Sequence, residues 1–236
     1  MNKLSTENQE RYSRQLLLKE VGVEGQLKLK AAKVLVIGAG GLGCPVLQYL
    51  VAAGIGKIGI VDHDVVSISN LQRQILYRED ELGVSKAHLA QQKLQYLNSE
   101  TIIQIYNTFL NKDNVEDIMG EYDVVVGATD NFESRYLIDT YSQNLYIPFV
   151  HGSVEGFEGQ YSVFNYKNKI SYSDVFPSQP ELPKDYVIGV MGALPGIIGS
   201  MMAMEVIKIC CNLKGVAADA LYIFKALENK LIKLNY

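Results

Sequence analysis

Short continuous runs of hydrophobic residues alternate with helically spaced hydrophobic stripes along this chain of 236 residues. The run from Lys33 to Gly38, KVLVIG, is rich in β-branched residues and ends at a glycine, which is typical of a central parallel strand covered on both faces. Helical spacing follows from Leu42 to Ala53, and Lys57 to Asp62, KIGIVD, predicts a second strand. Strand, glycine turn, helix and strand form a βαβ unit, so the pattern predicts an α/β fold.

The pattern changes after Tyr146 from alternating helices and strands to mainly strands. Before that point, the spacing predicts helices at 5–30, 85–98, 114–120 and 135–143 and strands at 101–107 and 122–128. After it, alternation and glycines predict antiparallel strands at 147–150 and 159–166, a core helix at 197–211 and short strands at 220–225 and 230–234. We expect a Rossmann-like, mostly parallel sheet with helices on both faces, extended by antiparallel strands in the C-terminal part.

The length of the chain fits one large α/β domain. We divide it into an N-terminal helical arm at 1–30, a nucleotide-binding part at 31–146 and a C-terminal part at 147–236. The segment from Ser171 to Asp185 holds three of the six prolines, so we expect an exposed loop there, within a crossover segment at about 171–189. Loops of this length are often functional.

Composition and charge argue against several kinds of partner. The 22 basic and 26 acidic residues give a net charge of −4, which favours neither nucleic acid nor an anionic membrane surface. Three cysteines, Cys44, Cys210 and Cys211, form no disulfide framework, so we expect a reducing, cytoplasmic location, and the polar N-terminus lacks a signal-peptide core. The uncharged stretch from Tyr186 to Met204 is broken by glycines and a proline, which favours a core helix over a membrane span.

The segment GAGGLG fits the pattern GxGxxG directly after a strand and at the start of a helix. Backbone N–H groups and the helix dipole favour a phosphate there, and Gly38, Gly40, Gly41 and Gly43 let it approach closely. Asp62 lies about twenty residues further on, at the end of the next strand, where a carboxylate can accept hydrogen bonds from ribose hydroxyls. These features favour a nucleotide site over a glycine turn without ligand, but they leave the nucleotide open.

Charged residues downstream of Asp62 exceed what a dinucleotide site needs. Short polar clusters supply Asn70, Gln72, Arg73 and Gln74, then Lys86 at the start of a helix, then Thr129, Asp130 and Asn131 after a buried strand. Nucleotidyl transfer needs cations for a triphosphate and a carboxylate for magnesium, and Arg73, Lys86 and Asp130 supply both. Each also has a purely structural explanation: a surface ion pair, a solvated helix position and a helix cap, respectively.

Several motifs together resemble, in order and spacing, the ThiF and MoeB family of adenylyltransferases, which is similar to the ubiquitin-activating enzymes. They are RYSRQ at 11–15, GAGGLG at 38–43, DHDVVSISNLQRQ at 62–74, GVSKA at 83–87 and ATDN at 128–131. The resemblance implies one ubiquitin-activating-enzyme-like adenylation domain over 1–236. It also implies a reaction in which a small sulfur carrier ending in Gly-Gly attacks the α-phosphate of ATP, giving an acyl adenylate and pyrophosphate for thiamine or molybdopterin synthesis.

The resemblance also implies roles for individual residues. Gly41 faces the nucleotide, Asp62 the ribose, and Asp130 holds Mg²⁺ with Asn131 beside it. The residues implied to contact the phosphates are Ser69, Asn70, Leu71, Gln72, Arg73 and Lys86. Arg14 reaches the phosphates of the second subunit, so the resemblance implies a homodimer whose 147–236 part binds the carrier.

The chain departs from the family at two places. Family members often bind zinc through two CxxC pairs, but Ser171 and Asp174 occupy the first pair's places, so we expect no zinc. Many relatives carry a cysteine in the crossover loop where this chain has Asp185 nearby, so we exclude a thioester or persulfide there. Sulfur is then delivered either by a separate donor protein or through a C-terminal extension, and the sequence leaves these two alternatives open. The residues that we consider for carrier contact, or for ordinary core packing, are Val154, Phe157, Val163, Phe164 and Val175.

Two other functions remain open from the sequence. A nicotinamide-dependent oxidoreductase explains the glycine loop and Asp62 but leaves Arg73, Lys86 and Asp130 without a role. A non-catalytic scaffold that binds a carrier without activating it agrees with the lost zinc ligands but not with the phosphate and metal residues that the chain keeps.

Overall fold

The computed structural model describes residues 3–167, 170–179 and 189–236 and contains nine helices and eight strands in these ranges. The helices are α1 Thr6–Arg11, α2 Ser13–Leu16, α3 Gly22–Ala31, α4 Gly43–Ala53, α5 Lys86–Leu97, α6 Val115–Met119, α7 Phe132–Leu145, α8 Tyr172–Val175 and α9 Ala193–Cys210. The strands are β1 Lys33–Ile37, β2 Lys57–Val61, β3 Ile102–Tyr106, β4 Val124–Gly127, β5 Phe149–Glu155, β6 Glu158–Phe164, β7 Ala220–Lys225 and β8 Lys230–Asn235. The predicted order is therefore confirmed for the strands and for the helices from α4 to α7 and α9, whereas the N-terminal arm and α8 differ from the prediction.

All eight strands form one sheet in the order β3-β2-β1-β4-β5-β6-β7-β8. The first five are parallel, with β1 between β2 and β4, and β5 to β8 are antiparallel neighbours. The predicted fold class is confirmed. The chain reverses its direction of winding between β1 and β4, and in open α/β sheets ligands bind at such a point, outside the carboxyl ends of the strands.

Two hydrophobic cores lie on opposite faces of the sheet. Val34 and Val36 of β1 face the core that α4, α5 and α9 cover, whereas Leu35 and Ile37 face the core under α6 and α7. Side chains alternate between the faces of a strand, so a strand covered on both faces is hydrophobic throughout. This double cover explains the continuous hydrophobic run KVLVIG.

The N-terminal arm differs from the single helix expected at 5–30. It contains three short helices, with the chain turning between them at Tyr12 and over 17–21. Gly22 has φ +52°, which favours glycine and a break before α3. The sparse hydrophobic stripe gave no sign of these turns.

The segment that begins at Ser171 is not wholly an exposed loop, contrary to prediction. Ser171 and Tyr172 are buried, and α8 begins there. The structural reason is that Asp139 of α7 accepts hydrogen bonds from the Tyr172 and Ser173 amides. Residues 180–188 lie outside the described residues, so the exposed loop expected there and the position of Asp185 remain predictions.

The helix α9 is long and apolar enough, by length and composition, to cross a membrane. Half of it is buried inside the protein, where Leu194, Ile198, Met202 and Val206 belong to the core that also contains α4. Its packing against α4, β5 and β6 is that of a core helix.

Candidate functional site

The glycine loop between β1 and α4 is closely packed against its neighbours. Gly38 has φ +97°, and a Cβ atom there would overlap the carbonyl group of Ala128, just after β4. A Cβ atom at Gly43 would overlap the Gly38 carbonyl oxygen, so Gly43 lets α4 start directly against the end of β1. The sequence Gly38 to Gly43 thus places the first turn of α4 at the carboxyl edge of the sheet.

Asp62 follows β2 and lies beside this loop, where it is only 9% exposed. Its Oδ2 atom accepts a hydrogen bond of 2.7 Å from the Ala39 amide, and its Oδ1 atom accepts one of 2.8 Å from the Asp64 amide. Burial raises the pKa of Asp62, and the two amide hydrogen bonds oppose that rise. The carboxylate is thus held in place at the end of β2, where a nucleotide ribose is expected.

Arg73 lies over the glycine loop, with its Cγ atom 3.3 Å from the position of a Cβ atom at Gly41. Its Nη1 atom donates a 3.0 Å hydrogen bond to the Ser69 carbonyl. The turn Ile68–Asn70 that presents this carbonyl is fixed by reciprocal hydrogen bonds between Ser67 and Asn70. Local hydrogen bonding therefore fixes a cation above the expected phosphate position.

Lys86, at the start of α5, is only 4% exposed although it carries a charge. Its ammonium group lies 2.9 Å from Oδ2 of Asp64, and the Asp64 side chain is 54% exposed. A buried lysine requires such a partner, because removing an unpaired charge from water is costly. Our sequence reasoning did not single out Asp64, although the spacing of Asp62 and Asp64 in DHD was visible.

Asp130 and Asn131 follow β4 at the same edge of the sheet. The Asn131 side chain caps α7 by accepting a 2.8 Å hydrogen bond from the Ser134 amide. The cap is therefore Asn131 and not Asp130, whose carboxylate is exposed and takes part in none of the hydrogen bonds or ion pairs between described residues. Asp130 thus keeps its carboxylate oxygens available for a ligand.

A single pocket of about 440 Å³ gathers these groups, a volume within the range of small-molecule sites. The predicted residues that line it are Gly38, Gly40, Gly41, Asp62, Arg73, Lys86, Asp130 and Asn131. Further lining residues include His63, Asp64, Gln74, Phe109, Thr129, Arg135, Ser153 and Pro195.

Six predicted residues do not line this pocket. They are Arg14, Gly43, Ser69, Asn70, Leu71 and Gln72. Gly43 acts in packing, and the Asn70 side chain accepts a hydrogen bond from the Ser67 amide. Arg14 is exposed on α2 and makes no hydrogen bond or ion pair with a described residue. The nucleotide-binding roles of these six residues remain predictions.

Sequence reasoning missed Arg135, a buried cation that faces the pocket. Arg135 is 6% exposed and donates hydrogen bonds from Nη2 to the Thr129 carbonyl at 3.3 Å and the Ser153 hydroxyl at 3.2 Å. Its Nε atom is buried and has no partner among the described residues. The available signal was a cation among hydrophobic residues in the first turns of the helix that follows Asp130.

Sequence reasoning also missed His151 of β5, a buried residue close enough to Arg135 to be affected by its charge. Its ring is fully buried, and neither ring nitrogen has a hydrogen-bond partner among the described residues. Burial lowers the pKa of His151 well below 6.5, and the Arg135 charge lowers it further. Four aromatic rings surround it at centroid distances of 5.1–6.2 Å: Phe149, Phe164, Tyr172 and Phe176.

The predicted carrier-contact residues are divided between core and surface. Val163 and Phe164 are buried in the two cores, so for them the core interpretation is correct. Phe157 is 40% exposed at the turn between β5 and β6. Val154 lines the pocket and Val175 packs against the core under α7.

No group of three or more His, Cys, Asp or Glu side chains that could hold a metal ion is present among the described residues. Ser171 and Asp174, at the places of the first zinc pair, instead form a reciprocal cap of α8. The Ser171 amide donates to Asp174 Oδ2 at 2.8 Å, and the Asp174 amide donates to the Ser171 hydroxyl at 3.1 Å.

The fold and the pocket together define a Rossmann-type nucleotide-binding protein whose site continues past the phosphate loop to a free carboxylate and a second buried cation. The ThiF family model matches residues 12–235, and the chain belongs to the ThiF family.

The named proteins to which the chain is similar in sequence are consistent with membership of the ThiF family. The chain is 42% identical over 236 residues to a sulfur carrier protein adenylyltransferase of Thermus thermophilus, covering 97% of this chain and 87% of that protein. It is 45% identical over 229 residues to an adenylyltransferase and sulfurtransferase MOCS3 of Culex quinquefasciatus, covering 95% of this chain and 52% of the relative. The chain thus spans about half the length of such MOCS3 relatives.

Solved structures share the fold. A crystal structure of MccB of E. coli with ATP superposes with a TM-score of 0.86 at 24% identity and covers 95% of this chain and 71% of that one. Another MccB structure gives a TM-score of 0.87 at 23% identity, with 98% and 72% covered.

Proposed function

We propose that this protein is an ATP-dependent adenylyltransferase that activates the C-terminal Gly-Gly carboxylate of a small ubiquitin-like sulfur carrier. The observation that carries the proposal is the single pocket in which the glycine loop, Asp62, Arg73, Lys86 and Asp130 meet. Family membership and the names of the relatives support it. An NAD-dependent oxidoreductase has no use for the last three of these residues.

The reaction follows from the chemistry of the two substrates. The carrier carboxylate attacks the α-phosphorus of ATP, the bond from that phosphorus to the oxygen that bridges to the β-phosphate breaks, and pyrophosphate leaves with the bonding electrons. A C-terminal carboxylate, with a pKa of about 3.5, is ionised at neutral pH, so no general base is needed. Arg73 and Lys86 stabilise negative charge on the pyrophosphate as it leaves.

The pocket also suits Mg²⁺, which supplies charge neutralisation to bound ATP. Magnesium is usually held by one or two carboxylates together with substrate phosphates and water. Asp130 is a carboxylate without a competing partner among the described residues, and Asn131 lies next to it in the pocket. We assign the Mg²⁺ ligand to Asp130 and propose that zinc is not required.

We further propose a homodimer in which Arg14 acts in the partner's site. The position of Arg14, exposed on α2 and outside the pocket lining of its own chain, supports a role in a second chain. Because none of the three cysteines lines the pocket and Cys44 behind the glycine loop is buried, we assign sulfur delivery to a separate donor. We expect a cytoplasmic protein.

The names of relatives favour one pathway over another. One relative, 44% identical over 228 residues, is a probable molybdopterin-synthase adenylyltransferase of Porphyra purpurea, and the MOCS3 relatives are also 44–45% identical. We therefore propose a molybdopterin-type (MoaD-like) carrier as the first partner to test and a thiamine-type (ThiS-like) carrier as the second.

Carrier-dependent exchange of labelled pyrophosphate into ATP tests the function directly. We expect exchange by the wild type, and a loss of at least about a hundredfold for Asp130→Ala because charge neutralisation at the phosphates is lost. Asp117→Ala, which removes an exposed carboxylate on α6, is the matched control and should exchange like the wild type. An absence of exchange with every Gly-Gly carrier, together with tight NAD binding, would overturn the proposal.

A further inference from the structure

Arg135 carries a charge that nothing in the described protein neutralises. None of the ion pairs between described residues includes Arg135, although its side chain is nearly fully buried. Its Nε–H is a buried donor without an acceptor, and its Nη2 hydrogen bonds are long, at 3.2 and 3.3 Å. Buried charges are normally paired, so an unpaired guanidinium that lines a pocket indicates an anionic ligand.

Arg135 and the nucleotide-binding groups lie at the ends of different strands, along the same edge of the sheet. Asp62 and Asp64 follow β2, the glycine loop follows β1, and Arg135 bridges the ends of β4 and β5 through Thr129 and Ser153. Neighbouring strands are about 4.8 Å apart, and β2 is two strands from β4 and three from β5, so the residues that Arg135 bridges lie roughly 10–14 Å along the sheet edge from the end of β2. The ribose, phosphates and Arg135 therefore follow one another along the edge of the sheet.

The in-line geometry of the reaction indicates which anionic group Arg135 binds. Phosphoryl chemistry places the attacking and leaving oxygens roughly in line, on opposite sides of the phosphorus. Arg73, whose side chain lies over Gly41, and Lys86, which pairs with Asp64 just after β2, are placed for the leaving pyrophosphate. The opposite side of the pocket, at β4 and β5, is left for the attacking carboxylate.

We propose that Arg135 binds the terminal carboxylate of the carrier and holds it in line for attack on the α-phosphorus. The Arg135 guanidinium is planar and suits a carboxylate, and its position is fixed by the Thr129 and Ser153 hydrogen bonds and by packing over the Phe132 ring at 4.9 Å. When one carboxylate oxygen forms its bond to the phosphorus, Arg135 keeps a hydrogen bond to the other oxygen, which becomes the carbonyl oxygen of the acyl adenylate. The proposal rests on the adenylyltransferase function and adds the site of its second substrate.

The test compares two forms of the carrier that differ only at the C-terminus. A Gly-Gly carrier is prepared with a free carboxylate and with a terminal carboxamide, and each is titrated calorimetrically into the wild type and into Arg135→Gln. We expect the wild type to bind the carboxylate form roughly 10- to 100-fold more tightly, since hydrogen bonds to charged groups are the stronger ones. Arg135→Gln should bind both forms equally.

Two further measurements separate binding from folding. Arg135→Lys keeps the positive charge but not the planar guanidinium that can donate two parallel hydrogen bonds to a carboxylate. We expect this variant to retain part of the preference for the carboxylate form. In pyrophosphate exchange, Arg135→Lys and Arg135→Gln should raise the KM for the carrier and leave the KM for ATP within about twofold, whereas a structural defect raises both. If Arg135→Gln does not fold, Arg135→Lys carries the test alone.

The outcomes distinguish the two proposals. If the wild type binds neither form of the carrier and exchanges no pyrophosphate, the adenylyltransferase function fails. If the wild type prefers the carboxylate form and both Arg135 variants keep the full preference, another group binds the carboxylate and the assignment to Arg135 is overturned.

Discussion

At the scale of single residues, the buried polar groups at and near the pocket differ in how fully the protein itself satisfies them. Lys86 is paired with Asp64, and Asp62 accepts two amide hydrogen bonds, so both are satisfied within the protein. Arg135 and His151 are buried without full partners among the described residues. Gln74 Oε1 and Thr129 Oγ1, which also line the pocket, are likewise buried without a partner among the described residues. Since unsatisfied buried groups are uncommon, the pocket that Arg135, Gln74 and Thr129 line departs from what folding alone requires.

His151 should make the protein sensitive to acid. Its pKa is near 6.5 when unfolded and lower when folded, so below pH 6.5 the unfolded state binds a proton that the folded state does not. The contribution of the neutral His151 to the free energy of unfolding is therefore fully present above pH 6.5 and is lost as the pH falls. His151→Phe, which fits the surrounding aromatic rings, should lose less stability than the wild type between pH 6.5 and pH 5.0.

Urea denaturation of wild type and His151→Phe at both pH values measures this difference. His63 and His88 are exposed and are present in both proteins, so they cancel in the comparison. Parallel pH dependence of the two proteins would show that His151 is protonated equally in the folded and unfolded states.

The glycines of the glycine loop, Gly38 to Gly43, give a second prediction at this scale. Gly43→Ala places a Cβ atom against the Gly38 carbonyl, which is backbone and cannot move aside, so we expect a loss of about 2–4 kcal/mol of stability. Gly196→Ala on α9 has no atom within 4 Å of its new Cβ and should be neutral or stabilising by up to about 1 kcal/mol. Thermal denaturation compares the two, and an equal effect of both changes would contradict the packing argument.

At the scale of elements, α7 connects the pocket to the start of the crossover segment. Its N-terminus follows Asp130, Arg135 reaches the pocket, and Asp139 accepts the α8 amides of Tyr172 and Ser173. Tyr136 also donates a 2.6 Å hydrogen bond to the carbonyl of Phe176. The helix that begins just after the proposed metal ligand Asp130 therefore also anchors the beginning of the segment implied in carrier binding.

Asp139→Ala tests this anchor. Asp139 is 1% exposed, and its removal leaves the Tyr172 and Ser173 amides without acceptors, so we expect a loss of about 2–4 kcal/mol of stability. Hydrogen exchange should lose protection at these two amides first. Thr140→Ala, an exposed neighbour on the same helix, serves as control and should leave their exchange unchanged.

At the scale of the whole molecule, we propose that Arg14, which is exposed and outside the pocket of its own chain, acts in the site of a second chain. Arg14→Ala and Asp130→Ala subunits, each inactive alone, form heterodimers in which one site receives Asp130 and Arg14 intact. We expect random mixing to restore roughly a quarter of the wild-type pyrophosphate exchange. If mixed subunits regain no activity while native mass spectrometry detects heterodimers, Arg14 does not act in the partner's site.

The sequence by itself determined the order of elements, the glycine loop and the ribose acid, because hydrophobic period and local motif are properties of neighbouring residues. The motifs also named Arg73, Lys86 and Asp130, which the fold gathers in one pocket. Only the tertiary structure decided that Asn131 and not Asp130 caps α7, that Tyr172 is buried, and that Arg135 has no counter-ion among the described residues. The last two properties depend on contacts between β4, β5, α7 and α8, which are distant in the chain, and no local pattern records them. The cap is a local bond from the Ser134 amide, but Asp130 and Asn131 are both cap-type residues and the sequence left the choice between them open.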